Sequence, residues 1–307
     1  MVDRAKPQTD AQRLDLYLVR HGLAGSRREA RKLITGGRVR VNGRRCRKGV
    51  EVQPDDVIDV EPQPPAALSP DFNLPLDVLY RDDDLLVINK PGLLPCHPLG
   101  GDDRPTLMNA VEARFPQAAH AGSKPLEGGL VHRLDNGTSG AVMVALNPAS
   151  FARLRKALGD NQIERRYLAL VQGAMHAPLR LEAPIAHHPR NRRKMTVVHD
   201  VRAVRRLKAR RASTAVRPIR KLDSFTLVEV LPRTGSRHQI RLHLADAGFP
   251  IAGDELYGGA PLAPLPPGRF FLHLEQLRIP RGVGGEILTV RAPLPDDLQT
   301  CLEALNA

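Results

Sequence analysis

The chain has 307 residues, 42% of them hydrophobic, and a net charge of +13, so it is expected to form a globular protein of more than one domain. No apolar run reaches the ~18–20 residues of a membrane span, and the opening MVDRAKPQTDAQR lacks the apolar stretch of a signal peptide. Cys46, Cys96 and Cys301 are too scattered for a disulfide framework or a cysteine zinc site, which points to a reducing, cytoplasmic setting with no membrane partner.

The positive charge is concentrated in two regions. Residues 1–50 hold fourteen lysines and arginines against four acids, and residues 186–221 hold thirteen against Asp200 alone. An ordinary solvated surface mixes signs. Two strongly cationic regions point instead to a polyanion, with nucleic acid the first choice.

After a tail of residues 1–11, a first module spans 12–61. RLDLYLVRHG predicts a helix with Leu14, Tyr17 and Leu18 on one face, stopped by Gly22. Ser26 and Glu29 form a capping box for a second helix. In it Arg27 and Arg31 lie one turn apart, as do Arg28 and Lys32, while Ala30, Leu33 and Ile34 supply the apolar stripe. Gly36-Gly37 ends that helix. RVRVNGRRC then reads as a strand and Asn-Gly hairpin with Arg38 and Arg40 on one face. A basic helix beside a basic strand makes a plausible RNA clamp. The segments R-L-D (13–15), S-R-x-x-A-x-x-L-I (26–34), G-R-V-x-V-N-G (37–43) and PDDVIDV (54–60) make this module similar to the S4 RNA-binding domain.

Residues 62–75, PQPPAALSPDFNLP, are Pro-rich and aperiodic, and read as a semi-rigid linker to a second domain at 76–307. LDVLYRDDDLLVINKPGLLPCHP predicts strand, acidic turn, apolar strand and loop. Next comes VHRLDNGTSGAVMVAL. Taken alone, Asp135-Asn136-Gly137 is turn chemistry, because Asn and Gly tolerate positive φ, and Ala141 to Leu146 is a buried strand. IERRYLALVQG alternates, placing Ile163, Arg165, Tyr167, Ala169 and Val171 on one strand face. Tyr167 beside arginines is either core packing or a platform on which a base stacks. In TGSRHQIRLHLADAG, Ser236 and Gln239 suggest a second capping box, opening a helix that Gly248 ends. Arg241 in its first turns is disfavoured by the helix dipole and calls for a buried anion.

Several familiar sites are excluded by spacing. DNGTSG is not an aspartic-protease D-T/S-G, GTSG is not G-x-S-x-G, and no P-loop or dinucleotide fingerprint follows a strand. His238 and His243 are five apart rather than four, so metal chemistry has little support.

Together the segments D-D-D-L-L-V-I-N-K-P (82–91), H-R-L-D-x-x-T-S-G (132–140), R-x-Y-L-A-L-V-x-G (165–173), R-x-K-M (192–195), A-S-T (212–214), T-G-S-R-H-Q-I-R-L-H (234–243) and G-x-P-I-x-G-D-x-x-Y-G (248–258) resemble the RluA-type pseudouridine synthases. The resemblance implies an α+β protein. Its synthase domain would carry a large mixed, mainly antiparallel sheet flanked by helices and loops. It further implies isomerisation of uridine in RNA, with Asp135 as the catalytic residue, Tyr167 stacking on the base and Arg241 paired with the aspartate. Uracil leaves as a stabilised anion, so no metal or redox cofactor is expected. RNA contacts are expected from Arg27, Arg28, Arg31, Lys32 and Arg38 in the S4 module, and from Arg133, Arg165, Arg193, Lys194 and His238 in the synthase domain. Ribosomal RNA of the large subunit is the expected target and a monomer the expected state. A transfer-RNA enzyme, or a non-catalytic ribosome-assembly factor, are the alternatives. Ser236-Arg237 departs from the family's T-G-R-T/S-H-Q, and NKPGLLPCHP from its N-K-P-A-G-L.

Overall fold

The computed structural model describes residues 3–5, 11–46, 49–61, 67–98, 105–281 and 285–305. The chain divides into two compact units, Met1–Ala66 and Ala67–Ala307.

In the first unit β1 (Asp3–Ala5) and β2 (Gln12–Arg13) precede α1 (Leu14–Arg20) and α2 (Arg27–Thr35). They are followed by β3 (Val39–Val41), β4 (Arg44–Arg45), β5 (Glu51–Val52) and β6 (Ile58–Val60). Leu14, Tyr17, Leu18, Ala30, Leu33 and Ile34 from the two helices pack on Val39, Val52 and Ile58. Each large apolar side chain buried there contributes about 1.5–3 kcal/mol. Asn42 and Gly43 both take positive φ, 52° and 76°, as a two-residue hairpin requires. The sheet order is β1-β6-β3-β4, so Asp3–Ala5 is a strand paired with β6 rather than part of a free tail. Backbone pairing at an edge needs no side-chain pattern, which is why the sequence does not announce it. The α2 cap also differs in detail. Ser26 Oγ accepts from Glu29 N at 3.2 Å, but Glu29 Oε2 accepts from Gly25 N, one residue further back than a capping box demands.

The second unit is built on a nine-stranded sheet. Its strands are β7 (Val78–Arg81), β8 (Leu85–Lys90), β9 (Ser139–Ala145), β10 (Glu164–Gln172), β11 (Leu179–Leu181), β14 (Thr214–Leu222), β15 (Phe225–Pro232), β16 (Leu272–Arg281) and β17 (Glu286–Arg291). A separate hairpin joins β12 (Ile185–His187) to β13 (Met195–Val197). The order is β11-β14-β15-β10-β16-β9-β8-β7, with β17 on the far half of β16. Every pair is antiparallel except β16 with β9, giving the mixed, mainly antiparallel sheet of the α+β class. Helices α3 (Leu107–Arg114), α4 (Pro148–Gly159), α5 (Val201–Arg206), α6 (Gln239–Asp246) and α7 (Asp296–Ala304) lie between or after the strands. β9 is buried at all seven positions, as its unbroken apolar run requires of a central strand.

Two boundaries are corrected by packing. Residues 62–66 of the expected linker lie outside the described residues, but 67–75 belong to the second unit. Leu68 is buried in its core, Asn109 Nδ2 donates to Ser69 O at 2.7 Å, and Arg114 Nη2 donates to Phe72 O at 3.0 Å. The second correction concerns α6, which starts at Gln239 and not after Ser236. His238 is its N-cap in a left-handed conformation, φ 56°. Gln239 Oε1 does accept from Ser236 N (3.0 Å), and also from Thr234 Oγ1 (2.7 Å), so the glutamine braces the preceding loop instead of a helical turn.

Candidate active site

Asp135 sits in the loop that feeds β9. The turn is real: Thr138 N donates to Asp135 O at 3.0 Å. Its chemistry is not what the Asn-Gly pair suggests, because neither Asn136 nor Gly137 takes positive φ. Gly137 is required for space, since a Cβ there would lie 2.3 Å from Gly268 O. The left-handed glycine is Gly140 (φ 118°), where the parallel neighbour β16 comes so near that a Cβ would stand 2.3 Å from Leu274 O.

The loop is pinned on both sides of the acid. Leu134 N and O each meet Cys96 Sγ at 3.4 Å. Asn136 O accepts from Leu93 N at 2.7 Å and, at 3.4 Å, from Lys90 Nζ, which also donates to Pro91 O and Leu94 O at 2.8 Å. Lys90 is completely buried, and burial pulls its ammonium down to about 8. His132 is buried too. Its Nε2 accepts from Met143 N at 3.2 Å, and burial holds the ring near 3, so it is a neutral part of the scaffold.

The carboxylate of Asp135 faces Arg241. Arg241 Nη1 donates to Asp135 Oδ2 at 3.1 Å, while Nε and Nη2 donate to Asp254 Oδ2 and Oδ1, both at 2.7 Å. The guanidinium also lies over the rings of Phe270 (4.3 Å) and Tyr257 (5.1 Å). Burial opposes its charge, yet the hydrogen bonds and charge of Asp254, with the charge of Asp135, outweigh this and raise its pKa. The buried anion that Arg241 calls for is therefore double. Asp254, 2% exposed, takes the two-pronged bond; Asp135, with a side chain 24% exposed, takes one and keeps lone pairs directed elsewhere. Asp254 has no role in the sequence reading, although it stands in the G-D-x-x-Y-G segment.

Tyr167 lies on β10 beside a register shift between Arg166 and Tyr167, an irregularity of the kind that re-aims a side chain. The residue is buried, its hydroxyl makes no hydrogen bond among the described residues, and burial pushes it up to about 12. It is a neutral phenol at physiological pH. His238 approaches from the α6 cap, with Nε2 4.0 Å from Asp135 Oδ1 and Nδ1 2.8 Å from the Tyr257 hydroxyl. Burial lowers it to about 4, so the ring is neutral.

The remaining expected RNA contacts divide. Arg165 is buried, and its Nη2 donates to Pro232 O (3.3 Å) and Thr234 O (3.1 Å), which ties β10 to the loop before α6. Arg133 has an exposed side chain, with Nη1 3.1 Å from His97 Nε2. Arg193 is exposed and Lys194 half-buried on the β12–β13 hairpin. Arg237, the displaced arginine, donates to Arg192 O (3.3 Å) and Arg193 O (3.2 Å), and so ties that hairpin to the cap of α6.

In the first unit Asp15 is 5% exposed and draws Arg13, Arg27 and Arg31 to within 3.1–3.2 Å. The hydrogen bond from Arg13 leads in holding Asp15 far below the usual carboxylate range. Arg27 and Arg31 are thus partly spent on an internal acid, whereas Arg28 and Lys32 are exposed without an ion pair among the described residues. Arg38 is half-buried at the start of the hairpin.

Comparison with known proteins identifies the family. Residues 84–246 match the family model described as RNA pseudouridylate synthase, and residues 12–58 match the S4 domain. The chain belongs to the RNA pseudouridylate synthase family. It is 32% identical over 98% of its length to the uncharacterized RNA pseudouridine synthase YlyB of Bacillus subtilis, covering 97% of that protein. It is 39% identical over 76% of its length to ribosomal large subunit pseudouridine synthase D of Xanthomonas campestris, covering 70% of it. Human RNA pseudouridylate synthase domain containing 1 superposes with a TM-score of 0.57 at 25% identity, over 80% of this chain and 98% of that one. The protein is an RluA-type RNA pseudouridine synthase with an N-terminal S4 domain. Among the described residues no helix of this synthase is long and apolar enough to cross a membrane.

Proposed function

We propose that this synthase isomerises uridines of large-subunit ribosomal RNA, with Asp135 as the catalytic carboxylate. The observation that carries the assignment is the asymmetry at Arg241, where Asp254 absorbs most of the cation and Asp135 is oriented but left accessible. An aspartate held by one hydrogen bond from a buried arginine and still open to solvent is charged, oriented and able to meet a substrate.

In the reaction the N1–C1′ bond of uridine breaks and its electron pair leaves with uracil. The base turns, C5 bonds to C1′, C5 releases its proton and N1 acquires one. Asp135 serves this sequence as nucleophile or base. The uridine is flipped from its stack at a cost of a few kcal/mol, which stacking on the face of Tyr167 offsets by about 1–3 kcal/mol. Positioning falls to the arginines. Of the thirteen lysines and arginines in 186–221, Arg217 alone meets a carboxylate among the described residues, Glu229 at 3.0 Å. The rest form an unneutralised surface that fits a phosphate backbone.

The ribosomal target draws support from the relatives named ribosomal large subunit pseudouridine synthase D. We infer a cytoplasmic monomer, which sedimentation of the purified protein checks. The test of the target is a map of pseudouridines in RNA from cells with and without the protein. Loss of large-subunit sites supports the reading, and loss confined to transfer RNA replaces it.

A further inference from the structure

The backbone after Asp135 is held by a side chain that makes no hydrogen bond to the carboxylate of Asp135. Arg269 is 2% exposed. Its Nη1 donates to Gly137 O at 2.6 Å and to Phe270 O at 2.9 Å. Its Nη2 donates to Ser139 Oγ at 3.0 Å and to Asp297 Oδ1 at 3.2 Å, and its Nε to Asp297 Oδ2 at 2.6 Å. The chain leaves room for this group: a Cβ on Gly92 would stand 2.5 Å from Arg269 Nε.

The hydrogens around it are ordered in one direction. His273 Nε2 lies 3.2 Å from Ala292 O, an acceptor only, so Nε2 carries the proton of the neutral ring. His273 Nδ1 must then accept from the Ser139 hydroxyl at 2.9 Å, which leaves the lone pairs of Ser139 Oγ for Arg269. The two ends of the 137–139 segment are thereby gripped by one guanidinium. That guanidinium is in turn held in a fork by Asp297 in the first turn of α7, the last helix of the chain.

We propose that Arg269, aimed by Asp297 from the C-terminal helix, is a positioning residue that fixes the turn carrying Asp135. The proposal rests on the reading of Asp135 as the catalytic carboxylate. A single 3.1 Å hydrogen bond orients that side chain directly, so its aim depends on the backbone at Asn136 and Gly137. A displacement of about 1 Å in a reacting group costs on the order of a hundredfold in rate. α7 has its own apolar anchors, since Leu298 and Cys301 are fully buried, while the Asp297 side chain is 36% exposed.

The experiment compares Asp297→Asn, Asp297→Glu and Arg269→Lys with the parent enzyme. Single-turnover rate at saturating RNA, RNA affinity and melting temperature are measured, with rates taken well below melting. The expected result for Asp297→Asn is a rate lowered about ten- to a hundredfold with affinity within twofold, and partial recovery in Asp297→Glu, which keeps the charge. A rate per folded molecule within twofold of the parent in Asp297→Asn overturns the proposal, whether or not the melting temperature moves. Should Arg269→Lys fail to fold, Asp297→Asn decides alone. Asp135→Asn is run in parallel: if it stays active, the catalytic reading itself has failed, and that outcome is distinct from loss of the positioning role.

Discussion

Arg241 gives Asp254 two hydrogen bonds of 2.7 Å and Asp135 one of 3.1 Å. One buried cation thus serves two acids unequally, and the inequality separates structural from reactive roles. Asp135→Asn keeps the shape and the single contact but removes the charge. We expect pseudouridine formation to fall by at least about a thousandfold, with RNA affinity equal to or above the parent's, since binding rests on cations. A purified variant that converts uridine at near the parent rate would refute the catalytic assignment.

Asp254→Ala has the opposite signature. It strips a buried arginine of its principal partner, which costs about 3–5 kcal/mol when one member of a buried pair is removed. For a domain of this size that is a melting temperature lower by roughly 6–20 °C. Activity should be lost with the fold on warming. Differential scanning calorimetry of the two variants side by side checks it, and equal melting temperatures would show that Asp254 is not the main anchor.

Tyr167→Phe keeps the ring face and loses only a hydroxyl that makes no hydrogen bond among the described residues. RNA affinity should stay within about twofold. Tyr167→Ala should weaken it by about 1–3 kcal/mol as the stacking surface disappears. Equal affinities for the phenylalanine and alanine variants would mean that no base rests on this ring.

Burial lowers the pKa of His97, His132, His238, His243 and His273, which makes the fold sensitive to acid. Burial lowers His132 to about 3, and His238 and His273 to about 4, from an ordinary value of 6.5. Between those values the unfolded chain binds protons that the folded chain excludes, so stability falls as pH drops below 6.5 and stops falling near the folded values. Each histidine contributes a slope of at most about 1.4 kcal/mol per pH unit in that window. Urea unfolding at pH 7.5, 6.0 and 5.0 measures it; a midpoint independent of pH would contradict neutral burial.

The S4 domain separates two kinds of arginine. Replacing Arg28 and Lys32 should lower RNA affinity and reduce the salt slope by about 0.7–0.9 for each phosphate no longer neutralised, with little change in melting. Replacing Arg27 and Arg31 should instead destabilise the S4 domain, because Asp15 is buried and would be left with fewer partners. Residues 67–307 should fold alone and keep the single-turnover rate at saturating RNA, with a flatter salt dependence. Starting the chain at 76 should do worse, since it removes Leu68 from the core. Unchanged affinity and slope in the 67–307 chain would remove the clamp role.

Periodicity and charge mark the helices and hairpin of the S4 module, the strands that follow and two cationic regions, whereas the mixed sheet and the grouping of Asp135, Tyr167 and Arg241 are implied only by the resemblance to the RluA-type synthases. The former are local or repeat in order along the chain: a strand alternates, a helix recurs every 3.6 residues, and a cationic segment carries its charge wherever it lies. What the sequence left open were partners distant in the chain. Asp254 stood inside a motif but had no visible reason until Arg241 turned toward it. The carbonyl partners of Arg165, Pro232 and Thr234, lie almost seventy residues along the chain, and Arg27 and Arg31 looked free until α1 set Asp15 beside them. Gly137 promised a left-handed turn, yet what requires it is the carbonyl of Gly268, more than a hundred residues on. Charge and hydrogen-bonding capacity are written residue by residue, but which groups satisfy one another is settled only when packing excludes water and each buried donor must find its acceptor.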